Sequence, residues 1–250
     1  EVAQAADLIQ ESVPERLDLK IKIHSQIDAA AAPDVLICSS TSGLLPSDFQ
    51  AECQHPERVL VGHPFNPVYL LPLVEIVGGK KTSMENRTRA GAFYESIGMH
   101  PIQCRTEVEG FLSDRLQEAL WRENLHMLAE GHATTQEMDD AIIYGPGLRW
   151  AFMGVNRTFA LAGGDDGMRH FMHQFGPALK LPWTKLVAPE LTDELIDTVV
   201  EGTDAQLANT TIPEMEKLRD NCLISIMEAL SEYREGAGEV LLRIRKANAQ

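Results

Sequence analysis

A chain of 250 residues with 44% apolar content is long enough to bury a core in one large or two small domains. Its formal charge of −15 is spread along the sequence without an acidic tail or a Lys/Arg cluster, so a nucleic-acid backbone or an anionic membrane surface is repelled on average. Neither is expected as a partner. Cys38, Cys53, Cys104 and Cys222 are far apart and form no CxxC pair, which disfavours a disulfide framework and a structural zinc site; no metal is expected, and reduced thiols in the cytoplasm are. No apolar run approaches the ~20 residues that span a bilayer. The first residues, Glu1-Val2-Ala3-Gln4, are not a signal peptide, and a start without methionine reads as a fragment.

Asp7 to Glu11 is a short apolar run closed by the turn Ser12-Val13-Pro14, and Glu15 to Ala32 has helical spacing at Leu17, Ile21, Ile23 and Ile27. Pro33-Asp34 ends that helix. Val35-Leu36-Ile37-Cys38 is a continuous apolar run of the kind found in a buried parallel strand. It empties into the polar loop Ser39-Ser40-Thr41-Ser42-Gly43, at the carboxyl end of a strand, where open α/β sheets bind ligands. A strand over Arg58 to Val61 then leads to His63 at a stiff, proline-punctuated turn. Ser83 to Ile97 is a helix with Ser83 as its cap and Gly98 past its end, and Met99 to Cys104 is a last strand.

From Glu109 the composition turns helical, with Leu112, Leu116, Ala119, Leu120, Met127 and Leu128 marking a long amphipathic helix that ends at Glu130-Gly131. Thr134 to Glu137 is a capped helix start before Met138 to Ile142, and Tyr144 to Gly154 is a glycine-rich loop. Glu190 to Glu201 and Pro213 to Arg234 have helical spacing, and Arg243 to Lys246 gives a basic amphipathic end.

The chemistry concentrates at Gly62-His63-Pro64-Phe65-Asn66-Pro67-Val68-Tyr69-Leu70-Leu71-Pro72-Leu73-Val74-Glu75. Glu75 lies in the apolar run Leu73 to Val77, where a lone carboxylate is costly to bury without a partner. His63 is the natural one. A carboxylate on one ring nitrogen fixes the tautomer and leaves the other nitrogen to take a proton. Any single His and Glu is more often a loop histidine and a strand-end acid.

The His-x-Phe-Asn-Pro motif with a downstream Val-Glu resembles the catalytic segment of the 3-hydroxyacyl-CoA dehydrogenase superfamily. Two further stretches are similar to it. Ser39 to Ser42 resembles its Ser-Asn-Thr-Ser loop, with Ser40 in place of Asn. Gly110-Phe111-Leu112-Ser113-Asp114-Arg115-Leu116 resembles its Gly-Phe-x-x-Asn-Arg-Leu, with Asp114 in place of Asn. Arg149-Trp150-Ala151-Phe152-Met153-Gly154 is similar to the carnitine and gulonate branch.

The resemblance implies an α/β fold, an incomplete Rossmann-like doubly wound parallel sheet over residues 1–105, followed by an all-α C-terminal domain over 106–250 that binds substrate and forms a homodimer. It implies NAD as cofactor and His63 as the base, with Glu75 orienting it. Ser42 contacts the substrate hydroxyl and the nicotinamide end of the cofactor, and Asp114 holds the substrate oxygen, although ionised Asp accepts and cannot donate. Glu15 and Lys20 fall near the nicotinamide ribose and Asn66 on a further cofactor contact. The implied substrate is a small carnitine-like 3-hydroxy acid. A quaternary ammonium is recognised by ring faces, so Phe65, Trp150, Phe175 and Trp183 are candidates for its pocket.

No GxGxxG turn occurs in the sequence. The resemblance therefore implies that the first βαβ unit, which grips the pyrophosphate, has been lost, and that this polypeptide alone binds NAD weakly or not at all. The alternatives are an acyl-CoA or gulonate dehydrogenase, for which the acidic composition offers few phosphate contacts, a non-catalytic relative, or a helical dimerisation module.

Overall fold

The computed structural model describes residues 3, 5–152, 154–163, 167–185, 192–198, 200 and 212–248. The chain forms two compact units, one of residues 1–116 with 243–250, the other of residues 117–242. The sequence reading placed the division between residues 105 and 106.

The first unit holds a five-stranded sheet in the order β1 (Leu8–Glu11), β2 (Leu36–Ser39), β3 (Val59–Pro64), β4 (Leu73–Gly78) and β5 (His100–Gln103). Helix α1 (Leu17–Ala30) joins β1 to β2, short α2 (Pro46–Phe49) lies between β2 and β3, and α3 (Met84–Ser96) joins β4 to β5. Alternation along the buried strands divides their side chains between two layers. Leu36, Cys38, Leu60, Val74 and Ile76 pack with Ala90 and Tyr94 of α3. Ile37, Val59, Val61 and Val77 pack with Phe49 of α2, Phe111, and Ile21 and Ile27 of α1. Helices thus cover both faces, as a doubly wound sheet requires.

The pairings β1–β2, β2–β3 and β4–β5 are parallel. Between β3 and β4 the pairing is antiparallel, with His63 directly opposite Glu75. The connection, residues 65–72, is too short for the dozen or more residues of a parallel crossover. This also corrects the placement of His63. It sits within β3, which runs through to Pro64, rather than on a turn beyond the strand.

Besides Ile21 and Ile27, which pack against the sheet as their spacing suggested, helix α1 buries a polar stripe. Its buried residues are Lys20, His24 and Asp28, spaced four apart on one face. Each has a partner. Lys20 Nζ donates to both oxygens of Glu11 at 2.9 and 3.1 Å. His24 Nδ1 bonds the Lys20 carbonyl at 2.8 Å. Asp28 Oδ1 accepts from Arg58 Nε and Nη2 at 3.0 and 2.8 Å, and its Oδ2 accepts from the Gln54 and His55 amides. Helix α3 starts as expected, Ser83 accepting from the Asn86 amide at 3.1 Å, and Gly98 follows with φ +87°.

Helix α4 (Ser113–Ala129) begins in the first unit and continues in the second. The second unit goes on through α5 (Thr135–Ile143), α6 (Pro146–Trp150), α7 (Val155–Ala162), α8 (Gly167–Phe175), a 3-10 turn (Gly176–Lys180) and α9 (Ile212–Tyr233), followed by α10 (Gly236–Asn248). Thr134 and Glu137 form a reciprocal capping box at α5. The stretch read as a loop at 144–154 contains α6, started by Pro146 in its first turn. Of the helix expected over 190–201, residues 193–198 are helical and several others lie outside the described residues. Among the described residues, no helix is long and apolar enough to cross a membrane.

Candidate active site

Strand β3 delivers His63 and strand β4 delivers Glu75 to the same rung of the ladder, and both side chains leave the sheet on the α1/α2 face. The Nδ1 and Oε2 atoms are 2.9 Å apart. Glu75 is fully buried, and its second oxygen is not left bare. Oε1 accepts from the Leu112 and Ser113 amides at 3.0 Å each and from Ser113 Oγ at 3.3 Å. These are the unpaired donors of the start of α4, turned onto an anion.

Burial by itself raises the Glu75 carboxyl. The bond from His63 and the Ser113 and Leu112 amides outweigh it and hold the group below the usual carboxylate range. An ionised Glu75 only accepts, so the proton in this bond belongs to Nδ1 and His63 donates. Nε2 then carries the lone pair, the form a general base needs.

The turn that aims α4 is conformationally costly. Gly110 has φ +69° and Phe111 φ +46°, the latter unusual for a side-chain-bearing residue. The geometry places Phe111 in the core with its ring edge-on to His63, centroids 5.6 Å apart. Phe65 meets the imidazole from another position at 5.3 Å, also edge-on. Asp114 Oδ2 lies 3.7 Å from Nε2, beyond hydrogen-bond length but near enough to feel the ring's charge; its side chain is 28% exposed.

Ser42 is exposed on the loop after β2. Glu15 pins that loop on either side of it, accepting from Thr41 Oγ1 and from the Gly43 amide at 3.3 Å. Glu11 anchors its base by accepting from Ser39 Oγ at 2.6 Å. Burial raises Glu11 most, yet Ser39, Lys20 and the Val13 amide together draw it below its ordinary value. Lys20 is buried, its ammonium held by Glu11 and by the Val13 carbonyl at 3.1 Å, with Glu15 Oε2 at 3.6 Å. Asn66 is exposed, at a cis Asn66–Pro67 bond.

The structure brings His63, Glu75, Asp114 and Phe65 together within the first unit. Among the described residues Ser42 makes no hydrogen bond to them. The other expected aromatic residues belong to the second unit. There Phe175 lies 5.0 Å from Phe171, which stacks on Phe159 at 4.6 Å, while Trp183 is largely exposed and Trp150 half-buried. Sequence reading missed Phe111, Ser113 and Glu11. Glu11 left a trace, an acid closing an otherwise buried strand, and Ser113 left none, because its partner lies 38 positions away.

The 3-hydroxyacyl-CoA dehydrogenase NAD binding domain matches residues 1–108, and the C-terminal domain of the same enzymes matches residues 110–202. The chain is 63% identical over 233 residues to the L-carnitine dehydrogenase of Pseudomonas aeruginosa, covering 93% of this chain and 73% of that one. It is 58% identical over 232 residues to the L-carnitine dehydrogenase of Bacillus cereus, covering 93% and 71%. Among solved structures, a 5-formyl-3-hydroxy-2-methylpyridine 4-carboxylic acid 5-dehydrogenase, described as an NAD+ dependent dismutase, superposes with a TM-score of 0.74 at 25% identity over 91% of this chain and 74% of its own. The 3-hydroxybutyryl-CoA dehydrogenase of Escherichia coli gives a TM-score of 0.58 at 27% identity over 80% and 41%. With an imidazole and a buried acid on facing strands, and with relatives this similar over nearly its whole length, the chain belongs to the 3-hydroxyacyl-CoA dehydrogenase family.

Proposed function

We propose that this protein oxidises the 3-hydroxyl of L-carnitine to 3-dehydrocarnitine, with NAD as the hydride acceptor. The observation that carries the reading is the 2.9 Å bond from His63 Nδ1 to a buried, ionised Glu75, which leaves Nε2 ready for a proton. The choice of substrate rests on the identity to the L-carnitine dehydrogenases.

His63 Nε2 takes the hydroxyl proton, and the positive charge formed on the ring is balanced by Glu75 through Nδ1. Ser42 and Asp114 hold the substrate oxygen beside the imidazole. Positioning is most of the work, because a misplacement of ~1 Å can cost ~100-fold. NAD, when bound, supplies the acceptor for the hydride that leaves the carbinol carbon.

The residues present fit the nicotinamide end of that cofactor. Exposed Ser42 and Asn66 and the half-exposed Glu15 offer polar groups near the carboxyl ends of β1, β2 and β3, where open α/β sheets bind nucleotides. Glu15, Ser42 and Asn66 would touch it, and Lys20 would act from beneath through Glu15. The 250 residues contain no glycine-rich phosphate turn, so the pyrophosphate end has no matching residues here.

The same reading takes residues 1–105 as part of the NAD-binding domain and residues 106–250 as the helical substrate and dimerisation domain. Phe65, edge-on to the His63 imidazole, supplies a ring face for the trimethylammonium group. The active form is a cytoplasmic homodimer, paired through helical surfaces that leave Leu148, Leu161, Leu179 and Tyr233 exposed in the single chain. Light scattering tests this, and a monomer at high concentration argues against it.

The assay is NADH formation by the complete protein with L-carnitine, 3-hydroxybutyryl-CoA and L-gulonate. Preference for either of the latter overturns the substrate. His63→Ala should abolish turnover while NADH binding persists; undiminished turnover removes His63 as the base.

A further inference from the structure

We infer that the carboxylate of Asp114 selects substrates carrying a positive charge next to the reacting carbon, and so sets the specificity of the site. This inference rests on the carnitine reading above and assigns its charge preference to one residue.

The substrate hydroxyl must approach His63 Nε2 to lose its proton, and Asp114 Oδ2 lies 3.7 Å from that atom. In carnitine the trimethylammonium group is attached to the carbon adjacent to the carbinol carbon. The cation is therefore delivered, by covalent structure alone, into the neighbourhood of whatever borders Nε2.

His63 lies within ion-pair range of Glu75 and Asp114. Glu75 is fully buried, with one oxygen on the imidazole and the other on the first amides of α4, so it has no face to offer a ligand. Asp114 keeps part of its side chain in solvent. An ionised carboxylate cannot donate, so it adds no hydrogen bond to a neutral ketone and repels an anionic group. Toward a quaternary ammonium, which offers no N–H, charge attraction and ring faces are the available forces. Phe65 on the same imidazole supplies such a ring. Charge complementarity of this kind selects partners by favouring one sign and penalising the other.

The test compares L-carnitine with 3-hydroxy-5,5-dimethylhexanoate, in which carbon replaces the quaternary nitrogen and the shape is kept. Asp114→Asn preserves the size of the side chain and removes its charge. The ratio of kcat/KM for L-carnitine to that for the neutral analogue should fall about 10- to 100-fold, chiefly through KM. Calorimetry gives a reading independent of turnover. The affinity for 4-(trimethylammonio)butanoate should fall about 10-fold in the variant relative to that for 5,5-dimethylhexanoate.

An unchanged ratio, with both substrates slowed equally, would make Asp114 a catalytic or structural residue and overturn its role in selection. A wild-type enzyme that oxidises 3-hydroxybutyryl-CoA and not L-carnitine overturns the carnitine reading and this inference together. Carnitine oxidation with an unmoved ratio overturns this inference alone.

Discussion

The two units differ in where they keep charge. The first takes three acid–base pairs out of water, Glu11 with Lys20, Asp28 with Arg58 and Glu75 with His63, alongside surface pairs such as Arg16 with Asp18. In the second, the pairs among the described residues are at least partly exposed, as Arg157 with Glu235 and Arg122 with Glu118. The first unit buries Ile37, Val59, Leu60, Val61 and Ile76 completely, whereas the second leaves Leu120, Trp121, Tyr144 and Leu148 in solvent. A buried pair tolerates little movement, because losing one member strands a charge without water. The first unit is thus committed to a single arrangement around His63.

The largest effect should come from Arg58→Ala. It leaves Asp28 buried with its two amide donors and no cation, and urea denaturation should record a loss of about 3 to 5 kcal/mol. A loss under about 1 kcal/mol would mean that the buried pairs behave like the surface ones and would erase the contrast.

Next is Glu75→Gln. Glutamine cannot accept from both His63 and the α4 amides without also presenting its NH2 to one of those donors. Turnover should fall by about 100-fold or more, while thermal unfolding separates any loss of folding from loss of orientation. Retained turnover would show that the acid is a packing feature.

Acid should then distinguish the units. Glu11, Asp28 and Glu75 all titrate below their ordinary range in the folded chain. Their stabilisation is complete above that range and is lost as pH falls through and below it, since protonation then favours the unfolded state. The probes are naturally divided. All three tryptophans, Trp121, Trp150 and Trp183, lie in the second unit. Buried Cys38 and Cys104 lie in the first, their thiols pushed up to about 12 and about 11, burial being the main cause. Labelling of these two cysteines with dithiodipyridine should begin at a higher pH than the change in tryptophan emission. Coincident transitions would show that the units melt as one.

The smallest change belongs to Arg157→Ala, about 0 to 1 kcal/mol, because its pairing with Glu235 is exposed and screened.

Much of the first unit was legible because its strands are short, unbroken apolar runs and helix α3 carries a cap at Ser83. The partnership of His63 and Glu75 was legible from motif and spacing. Its geometric cause lay in the short connection 65–72, which forces β4 to return antiparallel. What the sequence hid depends on distant partners. The Lys20, His24 and Asp28 stripe reads as a solvated face until Glu11 and Arg58 arrive from elsewhere in the chain. The left-handed backbone at Phe111 has no local signature beyond the glycine before it. Gly62 is similar. A Cβ there would lie 2.1 Å from Tyr94 Oη, a constraint set by α3 and invisible in β3 itself.

Because His63 and Glu75 are cross-strand neighbours, their separation is fixed by the ladder that holds β3 against β4. Strand β4 is gripped from its far side as well, where Glu75 registers with Ile102. Residues 65–72 can therefore be rewritten without moving the two side chains apart, so long as the connection stays short enough to return β4 antiparallel.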